Sequence, residues 1–318
     1  MITKYMKRSS ILCLILGFVT PLTTLSSQRA EFGPWSIPMN AGLVINSERD
    51  DAAPVVIDHG RTIYFSSNRT GSIKGSEDIW VATRKHERAE WSAPRPVSIL
   101  NTSSVERLRS ISPDGRLLVF QSNRDGGLGG FDIWVSTRKN KNDDSGWSAP
   151  VNLGTLINSD SNEIAGNYVF GSRGQELFIS SSRSDIGGLG EGDIYVSEIP
   201  EGRQFGPLVN VTELNSPFVE TCFWVRQDSL EIIFSSTRGR ANNDPTSFDL
   251  WRSTRETESD TWSTPVNLGP RVNADDFQDV NPFVSEDGTT LWFSSRRPNS
   301  NGPTGNMDIY VSTRIRLH

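Results

Sequence analysis

One unit of sequence occurs five times along this chain of 318 residues. In its clearest copy, Ser112-Pro-Asp-Gly115 leads into an apolar run that ends near Arg124, and a glycine-rich stretch then leads to Asp132-Ile-Trp134. The arginines that end this run are spaced 55, 59, 55 and 59 residues apart, at Arg69, Arg124, Arg183, Arg238 and Arg297. A period this regular predicts a repeat architecture, in which each copy folds as one structural unit.

Three further landmarks recur in the same order in every copy. An asparagine follows an apolar residue at Asn46, Asn101, Asn158, Asn215 and Asn273. A segment of the form Asp-Ile/Leu-Trp/Tyr begins at Asp78, Asp132, Asp193, Asp249 and Asp308. An aromatic-Ser-x-Pro segment begins at Trp35, Trp91, Trp147 and Trp262, and Phe205-Gly-Pro207 is a degenerate form of it.

Each copy is interpreted as four strands. The first strand follows the asparagine and leads to a turn, as in residues 106–112, and the second strand is the apolar run. The second strand does not alternate between apolar and polar residues, which indicates burial on both faces. The Asp-Ile-Trp segment is the third strand. The Trp-Ser-x-Pro segment is the fourth, since its proline fits only an edge strand.

Four-stranded sheets that repeat and are covered on both faces are typical of a β-propeller. The chain opens with a lone fourth strand at Trp35 and stops after a third strand near Arg314. We therefore expect an all-β, five-bladed β-propeller of four-stranded blades, in which the N-terminal strand completes the last blade. Residues 35–318 are expected to form this single domain.

The N-terminal segment has the features of a secretory signal peptide. Residues 1–26 contain a basic start followed by an apolar centre at residues 11–19, which is too short to span a membrane. The basic residues are Lys4, Lys7 and Arg8. We expect an exported protein, periplasmic or extracellular, with residues 27–34 as a short linker before the propeller.

Cleavage of this segment changes both the charge and the cysteine content. Loss of three basic residues lowers Lys plus Arg from 32 to 29 against 38 acidic residues, which gives a net charge of −9. An acidic chain of this kind is not expected to bind nucleic acid or an anionic membrane surface. Only Cys222 remains, so an intrachain disulfide is excluded.

The pattern resembles the PD40 repeat, a WD40-like repeat found in the propeller of the periplasmic protein TolB. The matching residues are Ser112-Pro-Asp-Gly115, Ser285-Glu-Asp-Gly288 and Trp147-Ser-Ala-Pro-Val-Asn-Leu-Gly154. The resemblance covers about residues 35–318 and implies a propeller that serves as a binding or scaffold module. This chain departs from the pattern at Asp58-His59-Gly60 and at Asp228-Ser229, which replace Pro-Asp-Gly in the first and fourth copies.

One carboxylate stands at the start of the first strand in every copy: Asp51, Glu106, Glu163, Glu220 and Asp279. We call these five residues the ring acids, because a propeller would arrange them around one mouth of the central channel. In one interpretation they serve the blades, for example by pairing with the arginine that ends the second strand. In another they hold a cation such as a structural Ca²⁺, or a polyol, on the axis. No cofactor is otherwise expected.

The ring acids also suggest an enzymatic alternative. Five-bladed glycosidases place their catalytic carboxylates on inner strands, and Asp51, Glu106 and Glu163 occupy comparable positions. Two such carboxylates are sufficient for glycoside cleavage. This is an analogy of fold, and a fold does not determine a function.

Residues that break the repeat are a second set of candidates. The second copy carries Arg107 and Arg109, and the fourth carries Trp224 and Arg226 near Phe223 and Cys222. Arginine and an aromatic ring suit an anionic or sugar-like ligand through bidentate hydrogen bonds and stacking. If these side chains point between the blades, they serve packing only. Cys222 has no nearby histidine and is expected to be a small buried hydrophobe.

These features favour a monomeric binding module that recognises a protein or a glycan through the channel mouth. The expected ligand-binding residues are Glu106, Arg107, Arg109, Glu163, Glu220, Trp224, Arg226 and Asp279. A glycoside hydrolase or lyase is the alternative. With three histidines in the chain, a histidine-based metal site or a Ser-His-Asp triad is hard to build.

Overall fold

The structure, a computed structural model, describes residues 31–73, 76–171, 174–199, 205–239, 247–275, 277–298 and 305–317. The predicted signal peptide, residues 1–26, lies outside the described residues. Within the described ranges, no helix is long and apolar enough to cross a membrane.

Five four-stranded antiparallel sheets form a five-bladed β-propeller, which confirms the predicted fold class. The short strand β1 (Met39–Asn40) comes first in the chain. The first blade follows with β2 (Asp51–Ile57), β3 (Thr62–Ser67), β4 (Asp78–Thr83) and β5 (Arg95–Pro96). The second blade contains β6 (Glu106–Ile111), β7 (Leu117–Ser122), β8 (Asp132–Thr137) and β9 (Val151–Asn152).

The remaining three blades repeat this order. The third blade contains β10 (Glu163–Gly171), β11 (Gly174–Ser181), β12 (Asp193–Ile199) and β13 (Val209–Asn210). The fourth contains β14 (Glu220–Val225), β15 (Glu231–Ser236), β16 (Asp249–Thr254) and β17 (Val266–Asn267). The fifth contains β18 (Asp279–Val284), β19 (Thr290–Ser295) and β20 (Asp308–Thr313).

The N-terminal strand closes the ring as predicted. Strand β1 pairs with β20, and Met39 lies opposite Val311. The pairing continues before β1, where the backbone N–H of Gly33 donates to the carbonyl of Ile315 at 2.9 Å. Part of the stretch expected to be a linker is therefore bonded to the C-terminal residues. This closure gives the last blade its outermost strand.

The hydrophobic core lies between the blades. Each of the five blade junctions has its own cluster of buried side chains; the first junction, for example, joins Val55 and Tyr64 of the first blade to Leu108 and Phe120 of the second. All six residues of β3 are buried. The non-alternating second strands thus bury both faces, as their composition predicts.

The fourth strands differ from expectation in length and position. Each contains two residues and comes after the aromatic-Ser segment instead of containing it. The serine pairs with the third strand partly through its side chain: in the second blade, the backbone N–H of Thr137 donates to Oγ of Ser148 at 3.1 Å. The adjacent proline has no N–H to donate, so a regular ladder cannot extend through the segment.

The recurring asparagines complete the outer edge of each blade. Asn101 donates from Nδ2 to the carbonyl of Ile79 at 3.0 Å and accepts from the same residue's backbone N–H at 2.9 Å. The equivalent asparagine does the same in the other four blades. Each side chain replaces one backbone partner of the third strand, which explains why the residue recurs.

A second recurring device explains the tryptophans. The arginine after the third strand stacks on the tryptophan of its own blade and donates from Nε to the carbonyl of the turn between the first two strands. Arg138 lies 4.4 Å from the ring centroid of Trp147 and donates to Gly115 at 2.6 Å. Arg84, Arg255 and Arg314 make the same pair of contacts. The third blade has Ile199 and Phe205 at these positions and lacks the contact.

Candidate functional site

The five ring acids lie at the starts of the five first strands, and all are fully buried. Each accepts hydrogen bonds from the loop just before its own strand. Glu106 accepts from the backbone N–H of Thr102 at 2.9 Å and from its Oγ1 at 2.6 Å. The arrangement around Glu163 is equivalent, with Ser159 in place of the threonine. Burial raises the pKa of Glu163, Glu220 and Asp279.

In four blades the ring acid also pairs with the arginine that ends the second strand. The N···O distances are 2.6 Å for Arg69–Asp51, 3.0 Å for Arg124–Glu106, 2.8 Å for Arg238–Glu220 and 2.6 Å for Arg297–Asp279. The same arginines lie over aromatic side chains; Arg124 is 4.8 Å from the ring centroid of Phe120. Such a pair ties the first strand, the second strand and the preceding loop together.

This environment bears on the catalytic interpretation of Asp51, Glu106 and Glu163. Glycoside cleavage needs two carboxylates that flank a bond in an open pocket. A fully buried carboxylate presents no surface to a substrate, and these oxygens already accept hydrogen bonds from their own blade. The contacts are those expected of acids that serve the blades.

The central channel is lined by the first strands, because the first strands of neighbouring blades contact one another. A β-bulge interrupts the pairing of each of these strands with the second strand of its blade. Bulges turn side chains away from the regular alternation, and they often occur beside functional sites. Cys222 and Asn281 lie at two of the bulges with φ of 44° and 54°.

Arg109 lies at the bulge of the second blade, and its side chain crosses the channel. Nη1 donates to Oδ1 of Asn281 in the fifth blade at 2.7 Å and contacts Sγ of Cys222 in the fourth blade at 3.4 Å. The second blade adjoins only the first and the third, so these contacts span the axis. Burial lowers the pKa of Arg109.

Gln121 forms a hydrogen bond with the Nε group of the same guanidinium. Its Oε1 accepts from Nε of Arg109 at 2.8 Å. Its Nε2 is buried and has no hydrogen-bond partner among the described residues. At the equivalent position the other blades have a serine, which bonds to the first strand of the following blade in the case of Ser66. We call Arg109, Gln121, Cys222 and Asn281 the channel site.

Arg107 stands closer to the channel mouth. Its side chain is 39% exposed and forms an ion pair with Glu77 at 2.6 Å. It also lies 5.3 Å from the ring centroid of Phe131. Arg107 and Arg109, both predicted ligand residues, are therefore on one strand, with one paired to an acid and the other bonded only to neutral groups.

Unlike Cys222, the residues that follow it in the fourth blade do not join this site. Trp224 is 9% exposed and packs with Ile233 and Val284 between the fourth and fifth blades. Phe223 is buried in the cluster between the third and fourth blades. Arg226 lies at the opposite end of the strand and pairs with Asp228 at 2.7 Å. These side chains serve packing and the turn.

The expectation that Cys222 is buried was wrong. It is partly exposed and faces Arg109, whereas the sequence suggested a small buried hydrophobe. Sequence reasoning also missed Gln121 and Asn281. The replacement of serine by Gln121 in the repeat was a visible signal. Asn281 also breaks the repeat, since the equivalent residues are Ala53, Leu108, Ala165 and Cys222. That its side chain reaches Arg109 could not be predicted, because this depends on the bulge and on the closed ring. Within the described ranges, no group of three or more histidine, cysteine, aspartate or glutamate side chains could hold a metal ion.

Comparison with solved structures supports the fold. An α-L-arabinofuranosidase from Lactobacillus brevis aligns with a TM-score of 0.55 at 14% identity, over 85% of this chain and 92% of that one. An α-L-arabinofuranosidase from Podospora anserina, solved with cellotriose, aligns with a TM-score of 0.52 at 13% identity, over 89% and 95% of the two chains. Identities this low establish a shared fold alone.

The sequence comparisons add no family. No protein-family model matches the chain, and a search of curated proteins gives no match. A candidate TolB from Agrobacterium tumefaciens aligns over 90% of this chain and 100% of that one at 14% identity, but its TM-score is 0.48. Membership of the PD40 family remains a prediction.

Proposed function

We propose that this chain is an exported, monomeric binding module that receives an anionic group of a glycan or protein partner in the mouth of its central channel. In this proposal Arg109 bonds the anion, Gln121 adds a second donor, and Arg107 forms the rim. The anion is a carboxylate, such as that of a uronic acid or of an acidic side chain.

The charge of Arg109 is the observation that carries this proposal. The arginines beside the ring acids each pair with a carboxylate, whereas Arg109 bonds to an amide oxygen, a second amide oxygen and a thiol. Its Nη2 has no partner among the described residues. A partly buried cation bonded only to neutral groups is costly, and an incoming carboxylate would offset that cost through a charge-assisted bond.

The unbonded amide of Gln121 supports the same proposal. Buried polar groups in proteins are nearly always hydrogen-bonded, and each exception calls for a bound partner or water. Nε2 of Gln121 is such an exception beside Arg109. An anion between the two would accept from both.

The glycan-active alternative has less support from this geometry. Its catalytic groups would be ring acids, and those acids are fully buried and bonded within their blades. The arabinofuranosidases share the fold at identities that carry no statement about activity. Binding therefore explains the channel better than catalysis does.

The test is binding of carboxylated and neutral glycans to the wild-type chain and to Arg109→Gln. A glycan array would select the ligand, and calorimetry would measure its affinity. We expect binding of carboxylated glycans, with a loss of at least tenfold in Arg109→Gln, because a charge-assisted bond contributes about 1.5–3 kcal/mol. The fold should survive, since Gln removes a partly buried charge that no acid of the described residues pairs with.

Arg226→Gln is the matched control, because Arg226 lies outside the channel and pairs with Asp228. It should bind as the wild type does. Equal affinity of the wild type and Arg109→Gln for every glycan bound would refute the proposal.

Cys222 provides an independent readout. Its thiol is partly exposed and contacts Arg109, and no other cysteine remains in the chain after residue 26. A ligand in the channel should slow alkylation of Cys222 by iodoacetamide. A ligand that binds tightly but leaves the alkylation rate unchanged would place the site elsewhere.

A further inference from the structure

A second candidate site lies at the other end of the blades. A cleft of about 240 Å³ opens between the first and second blades. Its walls include the turn at Asp58 and His59, the residues after β4, and the loop that contains Lys141. Asp51, a ring acid, begins β2, and Ile57, which lines the cleft, ends it. At roughly 3.3 Å per residue, the strand separates the cleft from this ring acid by about 20 Å.

Basic side chains dominate the charge of this cleft. Arg61, Arg84, Lys85 and Lys141 line it, and the acids of its walls are Asp58, Asp144 and Glu286. Asp58 pairs with Arg61 at 2.7 Å. Asp144 pairs with Arg138 at 3.0 Å and with Arg95 at 3.1 Å, and neither of these arginines lines the cleft.

Three cations are left for a ligand. In the described part of the chain, Arg84, Lys85 and Lys141 form no ion pair. Glu286 is the unpaired acid of the lining, and Glu87, outside the lining, adds a negative charge near Arg84. This local excess occurs in a chain whose net charge is −6. Such a concentration of one sign in an acidic protein favours an anion with several oxygens.

The recurring contact between arginine and tryptophan fixes Arg84 beside the turn of the cleft. Arg84 stacks on Trp91 at 4.1 Å and donates from Nε to Gly60 at 2.6 Å, so its outer nitrogens are fixed at the cleft. Asp58 and His59 both have positive φ angles, of 55° and 51°. The equivalent turn residues of the second and fifth blades, Pro113-Asp114 and Glu286-Asp287, do not have positive φ angles. Backbone strain of this kind concentrates at functional sites.

A buried donor beside the wall points the same way. Nη2 of Arg138 is buried without a hydrogen-bond partner among the described residues. It would lie 3.4 Å from a Cβ placed on Gly115, a residue that lines the cleft.

We infer that this basic cleft binds the tetrahedral oxyanion of a phosphorylated or sulfated sugar. Arg84 presents a planar fork and the two lysines present mobile point charges, a combination that suits the several oxygens of a phosphate or sulfate ester. The cleft volume of about 240 Å³ is many times the roughly 10–15 Å³ that one water molecule needs, which leaves room for one such sugar unit. The site is independent of the channel site and of the function proposed for it.

Calorimetry with glucose 6-phosphate, glucose 6-sulfate, glucuronate and glucose tests the inference. The phosphate and sulfate esters should bind the wild-type chain, and glucose should not. The ratio of the two ester affinities identifies the preferred oxyanion. Lys85→Ala/Lys141→Ala should bind the preferred ester at least tenfold more weakly.

Arg88→Ala/Lys139→Ala is the matched control, since it removes the same charge from exposed residues outside the cleft. It should change the affinity by less than twofold, and Arg109→Gln should not change it. The inference fails if neither ester binds, if the control loses as much affinity as the cleft variant, or if glucuronate binds as tightly as the esters. Loss of ester binding in Arg109→Gln would instead assign the ester to the channel.

Discussion

Glu106 shows how a repeated acid serves the fold at the scale of one residue. It is fully buried, accepts three hydrogen bonds from Thr102 and Ser122, and pairs with Arg124. Removing one partner of a buried pair leaves the other charge without compensation. A ring acid is therefore expected to contribute mainly to stability and not to ligand binding.

Glu106→Gln should lower the free energy of unfolding by about 3 kcal/mol, because Arg124 stays buried without its carboxylate. Urea denaturation measures this change, with Glu90→Gln as the control at an exposed acid. Unchanged stability together with lost glycan binding would return Glu106 to the ligand site.

A second residue-scale effect concerns the aspartates that begin the third strands. Burial raises the pKa of Asp308 to about 6, and the nearby Asp51 and Asp50 add to the rise, while a hydrogen bond from Asn40 opposes it. Burial likewise raises the pKa of Asp78 to about 6. Oδ1 of Asp308 has no partner among the described residues.

Asp308 therefore makes stability depend on pH. Its pKa in the folded chain lies above the unfolded value, so the folded state holds the proton more tightly and stability falls as pH rises from about 4 to 6. Between pH 5 and pH 6, the free energy of unfolding should fall by about 1 kcal/mol more in the wild type than in Asp308→Asn. Urea denaturation at both pH values tests this, with exposed Asp125→Asn as the control. An unchanged slope in Asp308→Asn would contradict the assignment.

At the scale of the element, the sequence predicts what repeats and misses what the repeat does not encode. The apolar runs and the Asp-Ile-Trp segments identify β7 and β8 because each copy buries the same strands. The two-residue length of β9 was not predictable from Trp147-Ser-Ala-Pro150, because Ser148 replaces part of the ladder with its side chain. The stacking of Arg138 on Trp147 was also not predictable, because a loop separates the two residues in the sequence.

The channel site was predictable only in part. Arg107 and Arg109 were visible as residues that break the repeat. Their partners were not, because contacts between the second blade and the fourth or fifth depend on the closed ring and on the bulges. Trp224 also breaks the repeat, yet it packs between the fourth and fifth blades. This could not be predicted, because sequence alone does not say which way a side chain beside a bulge points.

At the scale of the whole molecule, ring closure joins the two ends of the chain. Ser36 bonds to Thr313, 277 residues away, and Arg314 lies 4.2 Å from the ring centroid of Trp35. Trp35 is 7% exposed and belongs to the cluster between the fourth and fifth blades. The stability of the last blade thus depends on the first segment of the domain, a contact with a very large sequence separation.

Trp35→Ala should therefore lower the free energy of unfolding by about 3–5 kcal/mol, because it removes a buried aromatic side chain and the surface on which Arg314 stacks. Ile37→Ala is the control: Ile37 is 75% exposed, and the change should stay within about 0.5 kcal/mol. Urea denaturation followed by tryptophan fluorescence and by circular dichroism measures both variants. The two signals should stay coincident if the five blades unfold together. Wild-type stability in Trp35→Ala would show that the N-terminal segment does not hold the ring closed.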